Sequence, residues 1–170
     1  MSLGVGTGMG MGTRTGEGED GRASPPAGTF TRDPDHWLRK YSPKEWIRAG
    51  MKELRLAETA YKQRNVRAGL TGCKRAAGMA LNAALIVEPN DAWKRTYVEH
   101  LSALAKDLQV PAAVSAAARV LLEMPMPGGE IVLLRSPAQD EKVLEAARDV
   151  LAHAFAVVTK YEKSRREPSE

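Results

Sequence analysis

The chain is poor in the residues on which metal, redox and base-stacking chemistry draw. One cysteine among 170 residues, Cys73, allows neither an internal disulfide nor a cysteine-rich zinc site. A lone thiol fits a reducing compartment, and the cytoplasm is the expected setting. Aromatic residues make up 5% of the sequence, so there is little to interleave with a basic surface as stacking platforms. Histidine occurs three times, and His100 has no second ligand one turn away. No apolar run approaches the ~20 residues that span a bilayer, so no membrane partner is expected. The N-terminus carries no apolar signal core. Neither a metal nor a cofactor is expected.

Glycine and proline are unevenly spread. Nine of the 15 glycines fall in residues 1–28, "MSLGVGTGMGMGTRTGEGEDGRASPPAG". This stretch matches no phosphate-loop spacing and follows no strand. It has too little apolar surface to offset its ordering entropy, and residues 1–35 are expected to be a disordered tail. Residues 163–170, including "KSRREPSE", are expected to fray. Residues 36–162 then form one domain with a modest core.

Within that domain the apolar period is helical. Ser42-Pro43-Lys44-Glu45 reads as a capping box with proline at the first helical position. It opens a helix to about Gln63 carrying Ile47, Met51, Leu54 and Tyr61. A second helix spans about Val66 to Val87, with Leu70, Cys73, Ala77, Leu81 and Ala84 on one face. Glu88-Pro89-Asn90-Asp91 is expected to stop it and cap the next. Trp93, Tyr97, Leu101, Leu104 and Leu108 mark a third helix, and Pro111 opens a fourth with Val114, Ala118, Leu121 and Met124. "PMPGGEIVLLRSP", residues 125–137, breaks the pattern, and its "EIVLL" is expected to lie extended over the bundle. The last helix runs from about Ala138 to Glu162. Its apolar stripe is wide enough to be central in the bundle or shared with a second subunit. The fold class is all-α, an up-and-down bundle of four or five helices.

Two stretches carry a family resemblance. "LRLAETAYKQRNVRAGLTGCKRAAGMALNAALI" is similar in rhythm to the first two helices of HEPN domains, small nucleotide-binding helical bundles. "RDVLAHAF" resembles the motif of HEPN ribonucleases, an arginine, often a following Asn or Asp, and a histidine after four to six residues. Arg148, Asp149 and His153 fit it. "LRSP", Leu134–Pro137, is also similar to an Arg-Tyr-Pro-like turn of one branch. On that alignment the Arg148–His153 pair merely lies in the closing helix. The resemblance implies RNA or nucleotide binding, a homodimer formed through the last helix, and an antitoxin or nucleotidyltransferase-type partner.

It also implies a metal-independent endoribonuclease, with His153 as acid/base, Arg148 as phosphate clamp and Asp149 orienting the histidine. Helical geometry divides that trio. Asp149 and His153 share a face at i, i+4, whereas Arg148 and His153 lie about 140° apart around the axis. One subunit does not bring them together, so the catalytic reading needs a dimer. The alternative is a non-catalytic helical interaction module with a flexible N-terminal tether. Asp149 and His153 are then an exposed helical pair, and Arg148 snorkels from the apolar edge.

Between Leu38 and Arg75 the sequence holds eleven basic residues, opposed only by Glu45, Glu53 and Glu58. Lys44, Arg48, Lys52 and Arg55 recur at helical spacing on one face, and the turn "KQRNVR" adds Lys62, Arg64 and Arg67. Of these, the six other than Lys44 are the candidate nucleic-acid contacts, the alternative being a solvated face. Cys73 is expected to pack as a small hydrophobe, and His100 to be a surface or capping residue. Trp37, Trp46 and Trp93 are expected to anchor core or interface.

Overall fold

In a computed structural model of the chain, residues 35–90, 93–128 and 136–166 are described. Residues 1–34 of the expected tail, the "EIVLL" piece, the Leu134–Arg135 half of "LRSP", Asp91 and residues 167–170 of the expected frayed end lie outside them. The described residues are all-α: a short 3-10 helix, Trp37–Lys40, then α1 (Pro43–Lys62), α2 (Val66–Val87), α3 (Tyr97–Lys106), α4 (Ala112–Glu123) and α5 (Pro137–Arg166), with no strand among them.

Local chemistry sets the first two helices. The Ser42 hydroxyl accepts from the Glu45 N–H at 3.3 Å, and the Glu45 carboxylate accepts from the Ser42 N–H at 2.7 Å. These bonds satisfy two backbone donors that a helix start leaves open. α1 ends in a Schellman turn. Asn65 N–H bonds Ala60 O at 2.8 Å and Arg64 N–H bonds Tyr61 O at 2.9 Å. Arg64 takes the left-handed position, at φ 59, that glycine usually fills. The Asn65 side chain then caps α2 by accepting from Ala68 N–H at 3.1 Å.

So short a turn folds α2 back along α1. A Cβ at Gly50 would meet Ala76 O and Ala80, one at Gly72 would meet Ala57, and one at Gly69 would meet the Tyr61 ring. The positions run oppositely along the two helices, which are therefore antiparallel and approach closely through small residues.

α2 is the centre of the bundle, with contacts to every other helix. From Ala76 to Val87 all its residues but Met79 and Ile86 are buried. The last helix, expected to be either central or shared with a second subunit, packs on α2, α4 and α1 and leaves one face in solvent. It also runs four residues past its expected end. Lys163, Arg165 and Arg166 in its last turn favour the extension by lying against the negative end of the helix dipole.

α3 is shorter than its apolar spacing suggests. Thr96 caps it, in a second capping box with Glu99, so the cap is not supplied by Glu88–Asp91. Trp93 precedes the helix and Leu108 follows it, 99% exposed. At α4, Pro111 is the cap and Met124 the closing residue. Trp46 is the buried anchor of the N-terminal end. Its indole N–H donates to Leu38 O at 2.8 Å, and the Trp37 and Tyr41 rings meet it edge-on. Cys73 is fully buried among the core side chains.

Candidate nucleic-acid interface

Around a helix that turns about 100° per residue, Arg48, Lys52, Arg55 and Lys62 fall within an arc of about 80° and span about 21 Å. All four are solvent-exposed, as are Arg64 in the turn and Arg67 at the start of α2. The four on α1 thus share one exposed side, with Arg64 at its C-terminal turn, whereas Arg67 lines a groove with Glu53, Leu56, Ala57 and Ala60.

Two of the three acidic residues counted against this stripe are paired elsewhere. Glu45 is held in the Ser42 cap, whose hydrogen bonds lower its pKa, and the charge of Arg48 lowers it further. Glu53 pairs with Arg75 at 3.4 Å, and Glu58 with Arg148 at 2.8 Å. None of the six candidate contacts forms a salt bridge among the described residues. A row of unpaired cations is the arrangement that displaces counterions from a phosphate backbone. Arg64 adds to this, because a non-glycine residue in the left-handed region costs about 1–2 kcal/mol.

The residues of the implied catalytic motif lie at separate edges of α5. Arg148 lies toward α1, and its Nη1 donates to Glu141 at 2.7 Å and its Nη2 to Glu58 at 2.8 Å. The Glu58 and Glu141 carboxylates push its pKa further above the ordinary value. A guanidinium held by two carboxylates has little left to offer a phosphate. Asp149 is exposed and makes no hydrogen bond to His153 among the described residues. His153 is half-buried on the opposite side of α5 from Arg148. Its neighbours in charge are Glu88 and Asp107, and burial nevertheless lowers its pKa.

The third histidine is a departure from expectation. His100 is fully buried rather than at the surface. Its Nε2 lies 2.9 Å from Lys94 O, and its ring sits against Trp93 and Tyr97. Desolvation lowers its pKa, against the backbone carbonyls of Lys94 and Gly78 and the charge of Glu99. Asn82, on α2, is also fully buried, and no partner among the described residues satisfies either end of its amide. Asn82 carried no signal in the sequence, and His100 was expected at the surface, because a single polar residue in a helix carries no mark of depth.

The two histidines set a pH dependence. Both are held below the ordinary histidine value of about 6.5, so the unfolded chain binds protons before the folded one does. Stability is therefore complete above about pH 6.5 and falls as pH drops below it. The carboxylates of Glu45 and Glu99, lowered by their caps, add a further loss only in the acid range below 4.5. Thermal melts between about pH 7.5 and about pH 5 are expected to show a falling Tm, and a flat profile contradicts this assignment.

No group of three or more His, Cys, Asp or Glu able to hold a metal occurs among the described residues, and no helix there is long and apolar enough to cross a membrane. Comparison with known proteins finds no matching family model, no matching curated protein and no matching solved structure.

Proposed function

We propose that the chain is a helical RNA-binding module that grips the phosphate backbone along α1 and its C-terminal turn, binding rather than cleaving, and working as a homodimer through α5. The observation that carries this is the set of exposed cations free of salt bridges along one side of α1 and at its turn, beside Glu53 and Glu58 paired elsewhere. The separation of Arg148 from His153, and the double ion pair on Arg148, favour binding over catalysis.

The test is a titration of single-stranded RNA against wild type, R48E/K52E/R55E and Arg64→Gly. The triple variant is expected to lose affinity by at least about a hundredfold, as three attractive phosphate contacts become repulsive. Arg64→Gly is expected to bind several-fold more weakly while the fold gains about 1 kcal/mol, since glycine relieves the left-handed strain. Weaker binding in a more stable protein separates the stripe's role from any loss of structure. Equal binding by all three proteins, or none by wild type, contradicts the reading. RNA cleavage that His153→Ala abolishes contradicts its non-catalytic part.

A further inference from the structure

The solvent face of α5 is ordered by charge. Glu141, Glu145 and Asp149 lie in its first half, Lys160, Lys163 and Arg166 in its second, and all six are exposed. Between them lie Ala152, Ala156 and Phe155, also exposed, the last by 56%. At about 100° per residue, Glu141, Glu145, Ala152, Ala156 and Lys163 share an arc of about 60°. The opposing charges on this side are mostly committed: Arg148 to Glu58 and Glu141, which takes Glu141 out of the pattern as well and leaves it to Glu145 and Asp149, and Glu162 to Lys44 at 3.2 Å. Lys142 alone works against the pattern.

We propose that this face is a two-fold seam on which a second copy of the chain lies antiparallel, α5 against α5, centred at Ala152. Reversing one helix against the other sets acid over base. With the axis between residues 152 and 153, Glu145 lies opposite the partner's Lys160, and Asp149 is within side-chain reach of it. A parallel pair would instead set Glu145 over Glu145 and Lys163 over Lys163. Small side chains at Ala152 and Ala156 permit helix axes as close as about 8 Å. On the α1 side, Phe155 borders a groove of about 430 Å³ with Ile47, Met51, Leu54 and Leu151 on its apolar wall and Arg55, Glu58 and Arg148 at its polar edge. Met51 is 41% exposed there. The two-fold brings both Phe155 rings to this same side, where they cover each other and Met51.

This deepens the homodimer in the function proposed above and rests on that part of it, not on RNA binding. It also bears on catalysis. A two-fold perpendicular to an antiparallel helix pair keeps each residue on its own side of the seam. Both Arg148 side chains fall on the α1 side and both His153 on the other, so the dimer does not assemble the arginine–histidine site that the motif needs.

The experiment is cross-linking in a Cys73→Ala background, mixing E145C protomers with K160C protomers under mild oxidation, with sedimentation of the full chain in parallel. A disulfide joining E145C to K160C across protomers is expected, and little of either homodimeric product. The dimer Kd is expected to rise about tenfold in E145K and to return in E145K/K160E, where the pattern is inverted but still complementary. E145C–E145C products overturn the antiparallel seam while leaving a homodimer standing. A monomer at every concentration overturns the homodimer itself. RNA affinity, titrated separately, is left intact by either failure.

Discussion

Gly50→Leu is expected to destabilise the fold by about 3 kcal/mol or more, and to do so without touching any exposed residue. A Cβ at Gly50 would sit 2.8 Å from the Ala76 carbonyl oxygen and 3.4 Å from the Ala80 nitrogen. Both are backbone atoms of the central helix, so the only relief is to move α1 away from α2. Helix propensity works the other way. Removing glycine from a helix interior gains up to about 1 kcal/mol, and the steric cost exceeds it. Gly78 makes a useful contrast. A Cβ there would come closer still, 2.2 Å from the Tyr97 ring and 2.5 Å from Tyr97 Cβ, so turning the ring is not enough, but Tyr97 is the first residue of the short α3, whose start can shift more readily than the paired backbones of α1 and α2. Gly78→Ala is therefore expected to cost less than Gly50→Leu. Urea unfolding of the two variants checks the order, and a Gly50→Leu protein as stable as wild type contradicts the close helix approach.

Asn82→Leu is expected to act in the opposite direction, raising stability by about 1–3 kcal/mol. The two side chains have the same number of heavy atoms in the same branching. The asparagine amide is fully buried, and no atom among the described residues answers its oxygen or its nitrogen. Burying it costs desolvation that a leucine does not incur. Its neighbours along α2, Leu81, Ala83 and Leu85, are buried apolar side chains. A leucine variant that unfolds at lower urea than wild type contradicts this and shows that the amide is satisfied in solution.

Much of the scaffold was legible because local chemistry fixes it. The Ser42–Glu45 box, Asn65 and the run of small residues after it define α1 and α2 without reference to distant residues. α3 was misread at its start because two cap signals compete there, and Thr96 with Glu99 prevails over Asn90 and Asp91. Apolar spacing alone also carried that helix past both ends, to Trp93 and Leu108. Central position was not legible either. α2 is alanine- and glycine-rich, so it is the helix that others approach most closely, whereas α5 has larger apolar residues but keeps a polar face.

For the site, the positions of the basic residues were readable from spacing, but their availability was not. Whether Arg55 or Arg148 is free depends on where Glu58 points, and Glu58 reaches a residue 90 positions away. His100 shows the same limit. Its spacing in α3 does not distinguish it from a surface histidine, and its depth comes from the packing of Trp93 and Tyr97 and from Lys94 O.

The central claim is that exposed, unpaired cations along α1 hold an RNA backbone. Its most direct test is the salt dependence of RNA affinity, from about 50 to about 200 mM. Each phosphate contact on a single strand contributes a slope of about −0.7 in log K against log salt, so six contacts give about −4. The wild-type chain is expected to approach that slope, and R48E/K52E/R55E to lose about half of it or more. A wild-type affinity independent of salt, or a slope unchanged by the triple substitution, contradicts the claim.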